Sequence, residues 1–268
     1  MPGDLGDVLR YYLPIPDEGA AERDDAVSFR AAPAAPERPA ALPIVLLPID
    51  ERDVVRAAFA WNLTVEMARL GASASLVAPR EASARSIWPD EGSGPVGAEA
   101  AFPAVDELGG LTRAALDVAV TRAAESREGG VVLVCAPRRW MRESLDGHTL
   151  LRWVLLFSTT DTRDLLATYA LAKHLFVASE KTRVGITIHG ARRVAEAEHA
   201  FNHVASVTAR HLGRTPVSYG LLVDDLHVYR AIVARRPIGL EHPQSRAARA
   251  LRDVASLILE DARETTHG

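Results

Sequence analysis

The chain has 268 residues, enough for one large α/β domain or two small ones around a sizeable buried core. Its 48% hydrophobic and 25% charged content is that of an ordinary soluble globular protein, and a net charge of −4 offers no basic excess for nucleic acid. One cysteine, Cys135, excludes an intramolecular disulfide framework and any cysteine-rich zinc module.

Residues 1–42 stand apart. Asp4–Tyr12 can form a short helix, Asp17–Asp25 is acidic, and Ala31–Leu42 is dense in proline and alanine without a repeating apolar face, as in a linker. The first residues lack the basic flank and apolar run of a secretory signal, so a cytoplasmic location is expected. From Pro43 the pattern alternates. Ile44–Leu47 predicts a strand. Asp53–Leu70 predicts a helix with Val55, Phe59, Leu63, Met67 and Leu70 on one face, stopped at Gly71. Ala74–Ala78 predicts a second strand, and residues 89–104 an irregular polar excursion. A helix over Leu111–Glu125 ends before Gly129 and Gly130. Strands follow at Val131–Cys135 and Val154–Phe157, a helix at Asp161–Val177, a strand at Val184–Ile188 and a long helix at Val194–Leu212. Val217–Val223 is the last strand, and helices at Leu226–Arg235 and Ser245–Ala262 leave 263–268 as a tail.

Short uninterrupted apolar strands alternating with helices predict a three-layer α/β/α sandwich with a mostly parallel sheet. Ligands of such sheets sit at the carboxyl ends of the strands. At that edge the glycine distribution is unusual: no glycine occurs between Gly19 and Gly71, so the first strand-to-helix loop has none.

The order of segments resembles the MinD/ParA-like P-loop ATPases over about residues 43–262, most of all the MinD-related regulators of flagellar number and placement. VLLFSTTDTRDLLATYALAK (154–173) is similar to the family's TTPEPT-type loop and following helix. RVGITIHGARRVAEAEHAF (183–201) resembles its V-V-N strand and helix. YGLLVDDLHVYRAIVARRPIGLEHPQSRAARALRDVA (219–255) resembles its L-G-x-I-P-x-D segment. The resemblance implies a P-loop fold preceded by an N-terminal segment, and it implies a nucleotide loop of the K-G-G-V-G-K-T-[TS] type.

Set against that loop, the residues here are Asp50, Glu51, Arg52, Asp53, Arg56 and Ala57. Glu51 takes the signature lysine position, Arg56 the loop lysine and Ala57 the Mg²⁺ hydroxyl. Side chains with a Cβ block the close backbone approach a phosphate needs, and three carboxylates repel it. Four further nucleotide positions of the family are changed: Ala78-Pro79-Arg80 replaces its D-x-D segment, Cys135 its switch aspartate, His189 its adenine-side asparagine and Val223 the proline of its I-P segment. The implied function is a non-catalytic scaffold, localisation or regulatory factor acting through protein–protein contacts, with no catalytic residue, no cofactor and no metal. The alternative is a divergent ATPase that positions a cellular machine, and a third is a different small ligand in the vacated cleft.

Arg138, Arg139 and Arg142 with Trp140 and Met141 form a basic and apolar loop at the binding face, and Arg80 lies on another loop of that face. In relatives the first of these loops helps form a dimer across the nucleotide, so protein partners, a second copy of the chain among them, are expected there. A solvated loop is the plainer alternative. Leu9 and Arg10 close the stretch D-L-G-D-V-L-R, which resembles the D-Q-A-x-x-L-R motif by which the flagellar branch activates a GTPase; the glutamine is missing here, and an ordinary amphipathic helix is the alternative. His199 and His203 lie four apart, as on a solvated helix face without a third ligand. The last residues, ILEDARETTHG, lack a basic amphipathic tail, so direct membrane binding is not expected.

Overall fold

Strands covered on both faces need apolar side chains pointing both ways, and that is how the short apolar runs of this chain fold. The computed structural model describes residues 40–50, 52–80, 89–126, 128–142 and 149–267. The expectations for Leu9, Arg10, Glu51 and the 1–39 segment lie outside them, as does that for the Arg142 side chain. In chain order the elements are β1 (Ile44–Pro48), α1 (Val54–Arg69), β2 (Ser73–Val77), β3 (Gly92–Ser93), β4 (Glu99–Ala101), α2 (Leu108–Glu125), β5 (Gly130–Ala136), β6 (Trp153–Ser158), α3 (Thr162–Ala178), β7 (Arg183–Ala191), α4 (Val194–Leu212), β8 (Val217–Val223), α5 (Leu226–Ala234), α6 (Ile238–Glu241) and α7 (Arg246–His267).

Eight strands form one sheet in the order β3-β4-β2-β5-β1-β6-β7-β8, and only the β3–β4 pair is antiparallel. The fold class is the expected one. Alternation within each strand divides the core. Val45 and Leu47 of β1 join Val131 and Leu133 of β5 beneath α1, α5 and α7. Leu46 joins Val132 and Val134 on the other face, beneath α2, α3 and α4. Each leucine or valine so buried contributes about 1.5–3 kcal/mol relative to exposure. β1 lies inside the sheet, flanked by β5 and β6, so its carboxyl end opens between theirs, where ligands of parallel sheets bind.

Four expectations are revised. Residues 89–104 are not wholly irregular: Glu99–Ala101 extends the sheet beyond β2 through backbone pairing, while Trp61 of α1 packs beneath Gly94. The helix expected from Leu111 begins at Leu108, with Gly109 and Gly110 in its first turn, where Gly110 sits tight against Val105. The last helix runs to His267, through most of the expected tail. Leu42 is buried and its N–H bonds to Ala119 O, so the packed unit takes in the end of the expected linker. Gly71 does stop α1, at φ +90°.

Candidate functional site

The loop joining β1 to α1 closes quickly. Ile49 N–H bonds to Ala136 O, and Asp53 N–H returns to Asp50 O at 2.9 Å. Asp53 then caps α1, its Oδ1 accepting the Arg56 backbone N–H at 2.9 Å. A helix N-terminus attracts an anion because its first N–H groups lack partners. Here the chain supplies that anion itself.

Arg56 completes the arrangement. Its side chain, only 8% exposed, turns back so that Nη1 lies 3.0 Å from Asp53 Oδ2. Nη2 donates to Asp164 Oδ2 at 2.5 Å, and Nε donates to His189 Nε2 at 3.2 Å. Asp164 lies in the first turn of α3 after β6, and its Oδ2 also accepts the Thr159 N–H at 2.6 Å. His189 lies near the carboxyl end of β7, its ring edge against Phe59 at 5.4 Å. One guanidinium therefore ties together the ends of β1, β6 and β7.

The electrostatics agree with the geometry. Accepting a hydrogen bond at Nε2 requires a neutral imidazole with its proton on Nδ1. Burial, and then the Arg56 charge, push the His189 pKa down to about 4, against the pull of Asp53 and Asp164. Burial acts to raise Asp164, but Arg56 and the Thr159 hydrogen bonds outweigh it and hold the carboxyl below its ordinary range. Arg138, in the turn after β5, leans back to Pro48 O at 3.4 Å and Asp50 Oδ2 at 3.7 Å. Its pKa is lowered by burial and by Arg56, with Asp50, Asp164 and Asp53 opposing.

Of the residues singled out in the sequence, Asp50, Asp53, Arg56 and Arg138 come together. Ala57 is fully buried in α1 and presents nothing polar. Arg52 is exposed. Arg138 and Arg139 border a cavity of about 590 Å³ with Asp50, Leu171 and His174. Trp140 and Met141 correct the expectation of a shared arginine–aromatic surface: both are buried, in the core cluster beneath α2 and α3. In the short 3₁₀ turn Arg138–Arg142 the adjacent Trp140 and Met141 both turn inward, while Arg139 is exposed. Arg80 lies apart, bonded to Phe102 O and near Glu91 beside β4. Cys135 is a buried thiol that burial pushes far above its ordinary pKa. His199 and His203 are exposed on α4. Among the described residues no cluster of three or more His, Cys, Asp or Glu could hold a metal, and no helix is long and apolar enough to cross a membrane.

Asp164 and His189 are the two partners that sequence reasoning did not assign to Arg56. The hints were position, His189 standing near the carboxyl end of β7 and Asp164 in the first turn of the helix after β6, and the family's adenine-side place assigned to His189.

No family model matches the chain, and no curated protein matches it in sequence. Solved structures do match in fold. The MinD cell division protein of Aquifex aeolicus superposes with a TM-score of 0.60 at 11% identity, over 81% of this chain and 97% of its own. The cell division ATPase MinD of Pyrococcus furiosus gives 0.56 at 14%, over 81% and 98%. A putative plasmid partition protein of Borrelia burgdorferi bound to AMPPNP gives 0.53 at 8%, over 82% and 99%. The fold is that of the MinD/ParA-type P-loop ATPases, at an identity that speaks for architecture alone.

Proposed function

We propose that this chain is a non-catalytic protein of MinD/ParA-like fold, a scaffold, localisation or regulatory factor that works through protein–protein contacts. The observation that carries the proposal is the lock on Arg56. Where a phosphate cradle would need open backbone N–H groups and a free cation, the α1 N-terminus holds the Asp53 carboxylate and the guanidinium is spent on Asp53, Asp164 and His189. Ala57 offers no hydroxyl to Mg²⁺, and Asp50 and Asp53 add charge of the wrong sign for a triphosphate. These residues do not fit a Mg²⁺-nucleotide, and no catalytic step is assigned to them.

The structural neighbours include cell division and plasmid partition proteins, one of them solved as a MinC:MinD complex. That supports a positioning-related role with protein partners. Arg139, exposed beside the plugged site, is the residue of the basic turn best placed to meet one.

Calorimetric titration of the full chain with Mg-ATP and Mg-GTP, followed by a turnover assay, tests the proposal. No heat of binding and no phosphate release are expected. Micromolar binding of either nucleotide would overturn it and restore the ATPase reading.

A further inference from the structure

The amino end of the sheet, opposite the Arg56 lock, has a cavity of its own. It measures about 680 Å³ and lies among the chain entering β1, the first residues of β6 and β7, helix α2 and the end of α7. That volume is within the range of small-molecule sites, roughly 300–1,000 Å³. Pro43, Ile44 and Leu116 give it aliphatic walls, and all three are only partly buried. Trp153 closes it at the start of β6. Its ring is 5% exposed and carries the Arg183 guanidinium over its face at 5.4 Å, so it is not a platform for stacking an aromatic ligand.

The charged lining is of one sign. Arg152, Lys181 and Arg183 border the cavity, and among the described residues no carboxylate does. Arg183 is already paired with Asp261. Arg152 and Lys181 are exposed and make no ion pair among the described residues. Glu180, beside Lys181 in the chain, and Glu264, beside the lining residue Thr265, are exposed and pair with neither. Two unmatched cations next to aliphatic walls favour an anion with an apolar body. Its head accepts charge-assisted hydrogen bonds from Arg152 and Lys181, and its tail takes the walls out of water.

We infer that this cavity binds a small acyl anion, a carboxylate or phosphate head on an aliphatic tail. The head lies at the rim between Arg152 and Lys181, and the tail lies against Pro43, Ile44 and Leu116. The site shares no residue with the first strand-to-helix loop and does not rest on the scaffold reading, so either can fail without the other.

Calorimetric titration of the full chain with octanoate, up to about 2 mM and without nucleotide, is the test. Saturable binding is expected, with a Kd of about 0.1 mM. Octanol, which is tail without charge, and acetate or inorganic phosphate, which are head without tail, should each bind at least about tenfold more weakly. Arg152→Glu and Lys181→Glu, both at exposed positions, should each raise the octanoate Kd about tenfold and leave the melting temperature unchanged. Absence of saturable octanoate binding overturns the inference. So does octanol or phosphate binding as tightly as octanoate, or octanoate binding that ignores both charge reversals. Retention of the chain on phosphatidylglycerol vesicles without binding of free octanoate overturns it too, because the cations would then serve a lipid surface.

Discussion

Arg56 and Asp164 stand 108 residues apart in sequence and meet at 2.5 Å above the carboxyl end of the sheet. Neither group is open to solvent enough for this to be a surface ion pair, with side-chain exposures of 8% and 18%. Surface pairs contribute little, whereas removing one partner of a buried pair leaves the other charge stranded.

Arg56→Ala is therefore expected to destabilise the fold by about 3 kcal/mol, because it strands Asp53 and Asp164 together and removes the donor to His189. Arg56→Lys recovers only part, since one ammonium cannot reproduce three separately directed donors. Adding Asp164→Asn to Arg56→Ala should return some of the loss. Urea denaturation of the four proteins measures each step, and equal midpoints for Arg56→Ala and the native chain would sink the account.

Stability should also fall on mild acidification. A histidine whose folded pKa is depressed stabilises the fold fully above the unfolded value, near 6.5, and loses that contribution as pH drops toward the folded value of about 4. In this window the slope from His189 is about 1.4 kcal/mol per pH unit. Asp164 extends the loss: its lowered pKa gives stability that is present above the unfolded carboxylate range and disappears only as pH falls through the folded value. Melting temperatures from pH 7.5 to 4.5 for the native chain and His189→Gln test this, with the variant expected to show the flatter profile between pH 6.5 and 4.5.

Trp140→Ala is expected to act as a core truncation. The ring is 3% exposed, packed with Met141, Leu150 and Leu151 in one apolar cluster. Loss of a large buried aromatic costs about 3–5 kcal/mol. Guanidinium unfolding will show it directly, and a variant of native stability would return Trp140 to the surface.

A fourth test concerns the β7–β8 junction. A Cβ added at Gly185 would collide with Cε2 of Tyr219, whose hydroxyl donates to Asp261. Asp261 also pairs with Arg183. Gly185→Ala must displace the ring and disturb that cluster, at about 2 kcal/mol or more. Combining it with Tyr219→Leu should cost less than the sum of the two single changes, read from thermal melts, whereas strict additivity would argue against a direct clash.

Some of this could be read in the sequence and some could not, for identifiable reasons. The layered α/β/α fold was legible because the six longer strands are short, largely apolar runs alternating with helices. The missing glycines of the first loop were legible too, since they depend only on neighbours in the chain. β4 was hidden because three residues carry no periodicity, and backbone pairing to β2 and β3 makes them a strand. Asp164 and His189 were hidden because their relation to Arg56 exists only across 108 and 133 residues of chain. Trp140 misled because composition identifies an aromatic in a basic turn but cannot say which way a 3₁₀ turn aims it.

A diffusible anion at a helix N-terminus comes and goes with its concentration, so its site reports on the surroundings. The Asp53 carboxylate, attached one turn away by covalent bonds, has no dissociation rate and no half-saturation point. If the proposed function holds, the carboxyl edge of this sheet is held in a single state at every metabolite level. Control over the protein would then have to act by something other than occupancy of that edge: on its amount, its placement or its company.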